Sequence, residues 1–141
     1  MTRLDLDDAV VKYIKSAVAL PADLDMGRQD SHGPGIVYVL KATNKVTRYY
    51  GGRTKSAYAF TIMTKLEKWR DAVGLLNEID DALRRAGRTD IKSINDSFQF
   101  VKATATDTAA FREAIKDDDK DSNAQVYSIY AQPFEVTVII N

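Results

Sequence analysis

Gly35-Ile-Val-Tyr-Val-Leu-Lys-Ala-Thr-Asn-Lys-Val-Thr-Arg-Tyr-Tyr-Gly-Gly-Arg-Thr54 is the stretch on which the fold turns. Ile36 to Leu40 is a β-branched and aromatic run, short enough for a buried strand. Ala42 to Lys45 reads as a turn, and Val46 to Tyr50 as a second strand. The short connection makes the pair antiparallel. Gly51 and Gly52 then end the strand, because glycine allows backbone angles closed to other residues. Tyr49, Tyr50, Arg53 and Thr54 crowd the exit.

Outward from this hairpin, residues 7 to 20 read as a helix. Asp7 and Asp8 suit its N-terminal end, Val10, Ile14, Ala17 and Val18 share a face with Tyr13 beside them, and Pro21 stops it. Residues 21 to 35, rich in proline and glycine, read as a linker that carries His32. From Ser56 to Ala86, apolar residues recur at helical intervals: Ala59, Phe60, Met63, Leu66, Trp69, Ala72, Val73, Leu76, Ile79 and Leu83. This reads as one long helix or two broken near Gly74, the cost of an interior glycine favouring two, with Trp69 in the core and Arg84 and Arg85 closing the last turn. Ser97 to Ala103 alternates as a third strand, with Phe98, Phe100 and Lys102 against Gln99 and Val101. Thr106 and Asp107 cap a short helix, Thr108 to Lys116. The Asp-rich 117–121 reads as a solvated turn, and Gln125–Ala131 and Glu135–Ile140 as two strands joined at Gln132-Pro133. The expected class is α+β: one domain with a small, mainly antiparallel sheet flanked by helices, an N-terminal helix and a C-terminal strand pair.

The totals narrow the chemistry. The chain has 141 residues, no cysteine and one histidine. Thiolate metal sites and disulfides are excluded, and a histidine-rich zinc site has no ligands. The N-terminus lacks the basic-then-apolar pattern of a signal peptide, and no apolar run approaches the roughly 20 residues needed to span a membrane. A cytoplasmic, membrane-free protein is the expectation. Formal net charge is zero, but Lys41, Lys45, Arg48, Arg53, Lys55, Lys65, Lys68 and Arg70 face only Glu67 between residues 41 and 70. A local basic face suits a polyanion site, and the same lysines also suit an ordinary solvated surface.

The order strand, turn, strand, helical segment, strand, short helix resembles the core of the GIY-YIG nucleases over residues 34 to 116. Ile36-Val37-Tyr38-Val39-Leu40 is similar to the first motif, and Tyr50-Gly51-Gly52-Arg53-Thr54-Lys55 to the second, with Tyr49-Tyr50-Gly51 as an alternative frame. Leu83-Arg84-Arg85-Ala86-Gly87 followed by Phe98-Gln99-Phe100-Val101 is similar to the family's helix end and third strand. The resemblance implies a magnesium-dependent endonuclease acting on DNA, double-stranded in the family. Tyr38 with Tyr50 or Tyr49 would orient or activate the water, Arg53 or Arg70 would hold the phosphate, and Glu113 would carry Mg²⁺. Lys41, Arg48, Lys55, Lys65 and Lys68 would contact DNA. The family's helical arginine would fall near Phe60, where nothing basic stands. Two other readings remain open: a related domain without catalysis that binds nucleic acid or protein, and an unrelated α+β interaction protein. No DNA binding at low salt, together with Tyr38 and Glu113 far apart in space, would select the last.

Overall fold

A computed structural model describes residues 5–21, 24–26, 35–48, 54–87, 89–116 and 126–140. Along the chain run α1 (Leu6–Ala17), β1 (Leu24–Met26), β2 (Gly35–Arg48), β3 (Thr54–Leu66), α2 (Trp69–Arg85), β4 (Phe98–Ala105), β5 (Ala110–Lys116) and β6 (Val126–Ile140). The strands form one sheet in the order β1-β2-β3-β6-β4, and β5 also pairs with β6. Every pairing is antiparallel except the short β1–β2 contact. The α+β class and the N-terminal helix are as expected.

Period-two alternation assigns the faces. Tyr58, Phe60, Ile62, Thr64 and Leu66 of β3 lie opposite Val136, Phe134, Gln132, Tyr130 and Ser128 of β6, and directly opposed residues share a face. Phe60, Ile62, Leu66, Phe134 and Val136 join Leu6, Val10 and Ile14 of α1 and Leu76, Ile79 and Leu83 of α2 in one buried cluster. Both helices therefore pack on this face. Two tyrosine hydroxyls pin α1: Tyr13 donates to the Ala82 carbonyl of α2 at 2.7 Å, and Tyr38 donates to Asp7 at 2.8 Å. The opposite face is closely packed as well. Val37, Ala57, Ile129 and Ala131 are buried there, apart from the helix-facing cluster.

Several sequence expectations are corrected. The first part of the expected helical segment is β3, and one helix, α2, runs unbroken through Gly74. Residues 57–66 are half-buried or buried on both faces. Such a strand is apolar almost throughout and matches a helical template by chance. Trp69 is not in the core: it is 53% exposed, with the Arg70 guanidinium 5.4 Å over its ring. The turn at 42–45 is instead an irregularity inside β2, between Leu40 and Asn44. The last described pair of the hairpin is Arg48 opposite Thr54, and both glycines lie outside the described residues. Linker residues Leu24–Met26 form β1, pairing with Ile36–Tyr38.

Thr108–Lys116 is not a helix. Ala110 to Lys116 form strand β5 along the first half of β6, so sheet pairing overrides the local cap signal of Thr106-Asp107. The C-terminal strand pair is one strand, β6, running through Pro133. In β4 a bulge between Phe100 and Lys102 leaves Val101 exposed, puts Ala103 on the buried face and turns Lys102 outward.

Candidate functional site

Tyr38 is the residue on which the expected chemistry most depends. β2 places it on the helix-bearing face, opposite Ile62. It is 2% exposed. Its ring stacks on Phe60 at 4.8 Å, and Phe60 stacks on Phe134 at 5.3 Å. The aromatic row ties β2, β3 and β6 together beneath the helices. Burial pushes the phenol far above its ordinary value, and the charge and hydrogen bond of Asp7 push it further the same way. A general base needs its pKa brought toward neutrality; this phenol is driven in the other direction.

Glu113 is exposed on β5 and lies opposite Ile129 of β6. Ile129 alternates with Tyr130 and Ser128, so Glu113 is on the face away from the helices. The sheet separates it from Tyr38. A magnesium ion held by Glu113 would not meet the Tyr38 hydroxyl, and the two do not form one metal-assisted site. Among the described residues no group of three or more His, Asp or Glu side chains is placed to hold a metal.

The basic residues are dispersed. Lys65 is opposite Ile129 from the β3 side, so Lys65, Ile129 and Glu113 form one row, its ends about 10 Å apart at two strand spacings. Lys65 is buried, with its ammonium 5.1 Å from the centre of the Tyr127 ring. Lys55 is half-buried at the far end of β3, opposite Thr47 and Ile139. Lys68 caps α2 through its backbone and Arg70 lies in the first turn. Lys41 and Arg48 belong to β2, Arg48 opposite Thr54. Tyr49, Tyr50, Arg53, His32 and the Asp-rich 117–121 lie outside the described residues. Of the placed candidates, the sheet brings only Lys65 and Glu113 into one row.

A cleft of about 520 Å³ lies where β3 passes into α2. Leu66, Leu75 and Tyr127 give it apolar walls, and it brings the candidates Lys68 and Arg70 together among Glu67, Asp71 and Glu78. It contains neither Tyr38 nor Glu113.

Sequence reasoning missed one polar cluster near the N-terminus. The Asp5 carboxylate accepts hydrogen bonds from Ser93 Oγ at 2.6 Å, the Ile94 N–H at 2.6 Å and Ser97 Oγ at 3.0 Å. Burial raises its pKa, but these three donors outweigh that and hold it below its ordinary value. Asp5 lies 88 residues from Ser93 in sequence, so no local pattern could announce the contact. The cluster ties the start of α1 to the connection before β4. It has the character of a structural clasp.

No protein-family model matches the chain, and no curated protein matches it significantly.

Proposed function

We propose that this chain is a non-catalytic α+β interaction domain, and that its partner is a protein. The observation that carries the reading is the placement of Tyr38 and Glu113 on opposite faces of the sheet. The nuclease chemistry implied by the resemblance needs both groups around one phosphate. Tyr38 instead serves the core, and its hydroxyl is engaged by Asp7.

The protein partner is argued from β5. Among the described residues it pairs only with β6, so no described strand satisfies the backbone donors and acceptors of its other edge. Phe111 on this strand is 57% exposed, and Val126, which begins the neighbouring strand, is 54% exposed. An open edge with apolar side chains beside it suits an added strand from a protein. DNA is the weaker partner, because Lys65 is packed on Tyr127 and the Lys68 and Arg70 of the same cleft stand among Glu67, Asp71 and Glu78.

The test is fluorescence anisotropy of a labelled 20-base-pair duplex at low salt. The reading predicts no saturable binding at micromolar protein. Saturable binding that weakens steeply with added salt would favour a nucleic-acid partner instead.

A further inference from the structure

β4 and β5 lie end to end along one edge of β6, but the helices cover only the first of them. Phe98, Phe100 and Ala103 of β4 are buried in the cluster beneath α1 and α2. Ala110 to Ala114 of β5 are all exposed. Phe111 lies opposite Tyr130, and Tyr130 opposite Thr64 of the helix-facing row. Ala114 lies opposite Ser128 on the same face, and Val126 comes next in that row of β6. The helix layer therefore stops at α2, one strand short of this edge.

α2 forms a wall beside this bare floor. Asp80 Oδ1 accepts from the Ala105 N–H at 2.9 Å, which turns the Asp80 flank of α2 toward the β4–β5 edge. Val73 and Trp69 precede Asp80 by about two and three helical turns and share that flank. Thr64 Oγ1 donates to the Ala72 carbonyl at 3.4 Å, so this part of α2 stands level with the Thr64–Tyr130 pair. Wall and floor together make a step. Half-buried Val73 and exposed Trp69 stand on the wall, Tyr130 and Ser128 on the floor, Phe111 at the outer side and Val126 at the end. Phe111 meets the Tyr130 ring edge-on at 5.6 Å, and Phe111 and Val126 are both more than half exposed.

A helix is about 10 Å across, so another helix laid beside α2 fills a step of this height, and a flat surface does not. From Val126 to Tyr130 the floor runs about 14 Å, which matches about nine residues of helix. Charge narrows the occupant. Arg112, the extra residue of the β5 bulge, is exposed and has no carboxylate partner among the described residues. The Arg70 guanidinium stands over the Trp69 ring. The acids are engaged or turned away: Asp80 pairs with Arg84 at 3.0 Å, and Asp71 and Glu78 line the cleft beside Ala19 and Pro21 on the other flank of α2. Glu113 is on the opposite face of the sheet. The step is apolar within and cationic at its rim, which suits carboxylates on the partner. Both helices of this chain bury their own apolar stripes in its core, so among the described residues a second copy has no helix of this kind to offer.

We propose that the step between α2 and β5 binds an amphipathic helix of another protein, its apolar stripe against Trp69, Tyr130 and Phe111 and its flanking carboxylates on Arg112 and Arg70. The inference rests on the reading of the chain as a protein-binding domain. It names a helix on the face of β5, where that reading names a strand at its edge.

Trp69 is the only tryptophan in the chain and reports on the step without a label. The probes are tryptophan-free peptides of about five helical turns, with leucines at helical spacing and either glutamates or lysines on the flanks. A third peptide of alternating leucine and glutamate favours a strand. The glutamate-flanked helix should shift Trp69 emission to the blue saturably and shield it from acrylamide quenching. The lysine-flanked helix should bind at least about tenfold more weakly. Phe111→Ala should weaken the first peptide at least about tenfold. Arg112→Glu, at an exposed site, should reverse the preference between the two helices, and it carries the test should Phe111→Ala fail to fold by circular dichroism. Equal binding of the two helices, no response to either, or full binding in a folded Phe111→Ala would overturn the proposal. Binding of the alternating peptide alone, with Trp69 emission unchanged, would overturn it and leave the strand reading standing. A blue shift with protein concentration alone, or with phosphatidylglycerol vesicles, would overturn it in favour of a second copy or a lipid surface. Salt-sensitive duplex binding is the separate result that removes the protein-binding reading itself.

Discussion

Tyr38 shows how one side chain can satisfy a motif and serve another purpose. Its ring bridges β2 to Phe60, and its hydroxyl reaches back to Asp7 on α1. Tyr38→Phe keeps the ring and removes a hydrogen bond to a charged group. It should lower unfolding free energy by about 1–2 kcal/mol in urea titration, with the fold unchanged by circular dichroism. Asp5 gives a pH-dependent counterpart. Its folded pKa lies below the ordinary value, so the folded state holds this carboxylate ionised more strongly than the unfolded chain does. That stabilisation is fully present above the unfolded pKa, near 3.8, and is lost as pH falls through the lower folded value. Asp5→Asn should therefore cost stability near neutral pH and flatten the acid limb of stability against pH. The carboxylate is half-buried and held by three donors, so the cost should be about 1 kcal/mol.

At the scale of elements, α2 carries a clean test. Gly74 lies inside a 17-residue helix, and a Cβ built there meets nothing within 4 Å. Interior glycine costs roughly 1 kcal/mol relative to alanine. Gly74→Ala should raise the denaturation midpoint, equivalent to about 0.5–1 kcal/mol, and unchanged or lowered stability would contradict the placement of residue 74. The legible elements were those governed by local chemistry. α1 follows from 3.6-residue spacing and the acids of its first turn; β4 follows from alternation around Phe98 and Phe100. β3 was not legible, because both its faces are packed and its apolar run carries no period. Nor was β5, where pairing of Ala110–Lys116 with β6 prevails over Thr106-Asp107 as a helix start. Pro133 divides β6 on the page but not in the sheet, since its missing N–H faces the gap between β4 and β5.

For the whole molecule, these misread elements decide the functional reading. With 108–116 taken as a helix, Glu113 can be imagined beside Tyr38. As a strand on the edge of β6, the same segment carries Glu113 to the face away from α1 and α2. The class and the single sheet were readable from composition and pattern; the distribution of side chains between its two faces needed the register. No helix among the described residues is long and apolar enough to cross a membrane. The central claim is that Tyr38 and Glu113 are not parts of one phosphodiester-cleaving site. Relaxation of supercoiled plasmid by purified protein in millimolar Mg²⁺ tests it most directly. The account predicts that the plasmid stays supercoiled at stoichiometric protein. Magnesium-dependent nicking that disappears in both Glu113→Ala and a folded Tyr38→Phe would contradict it.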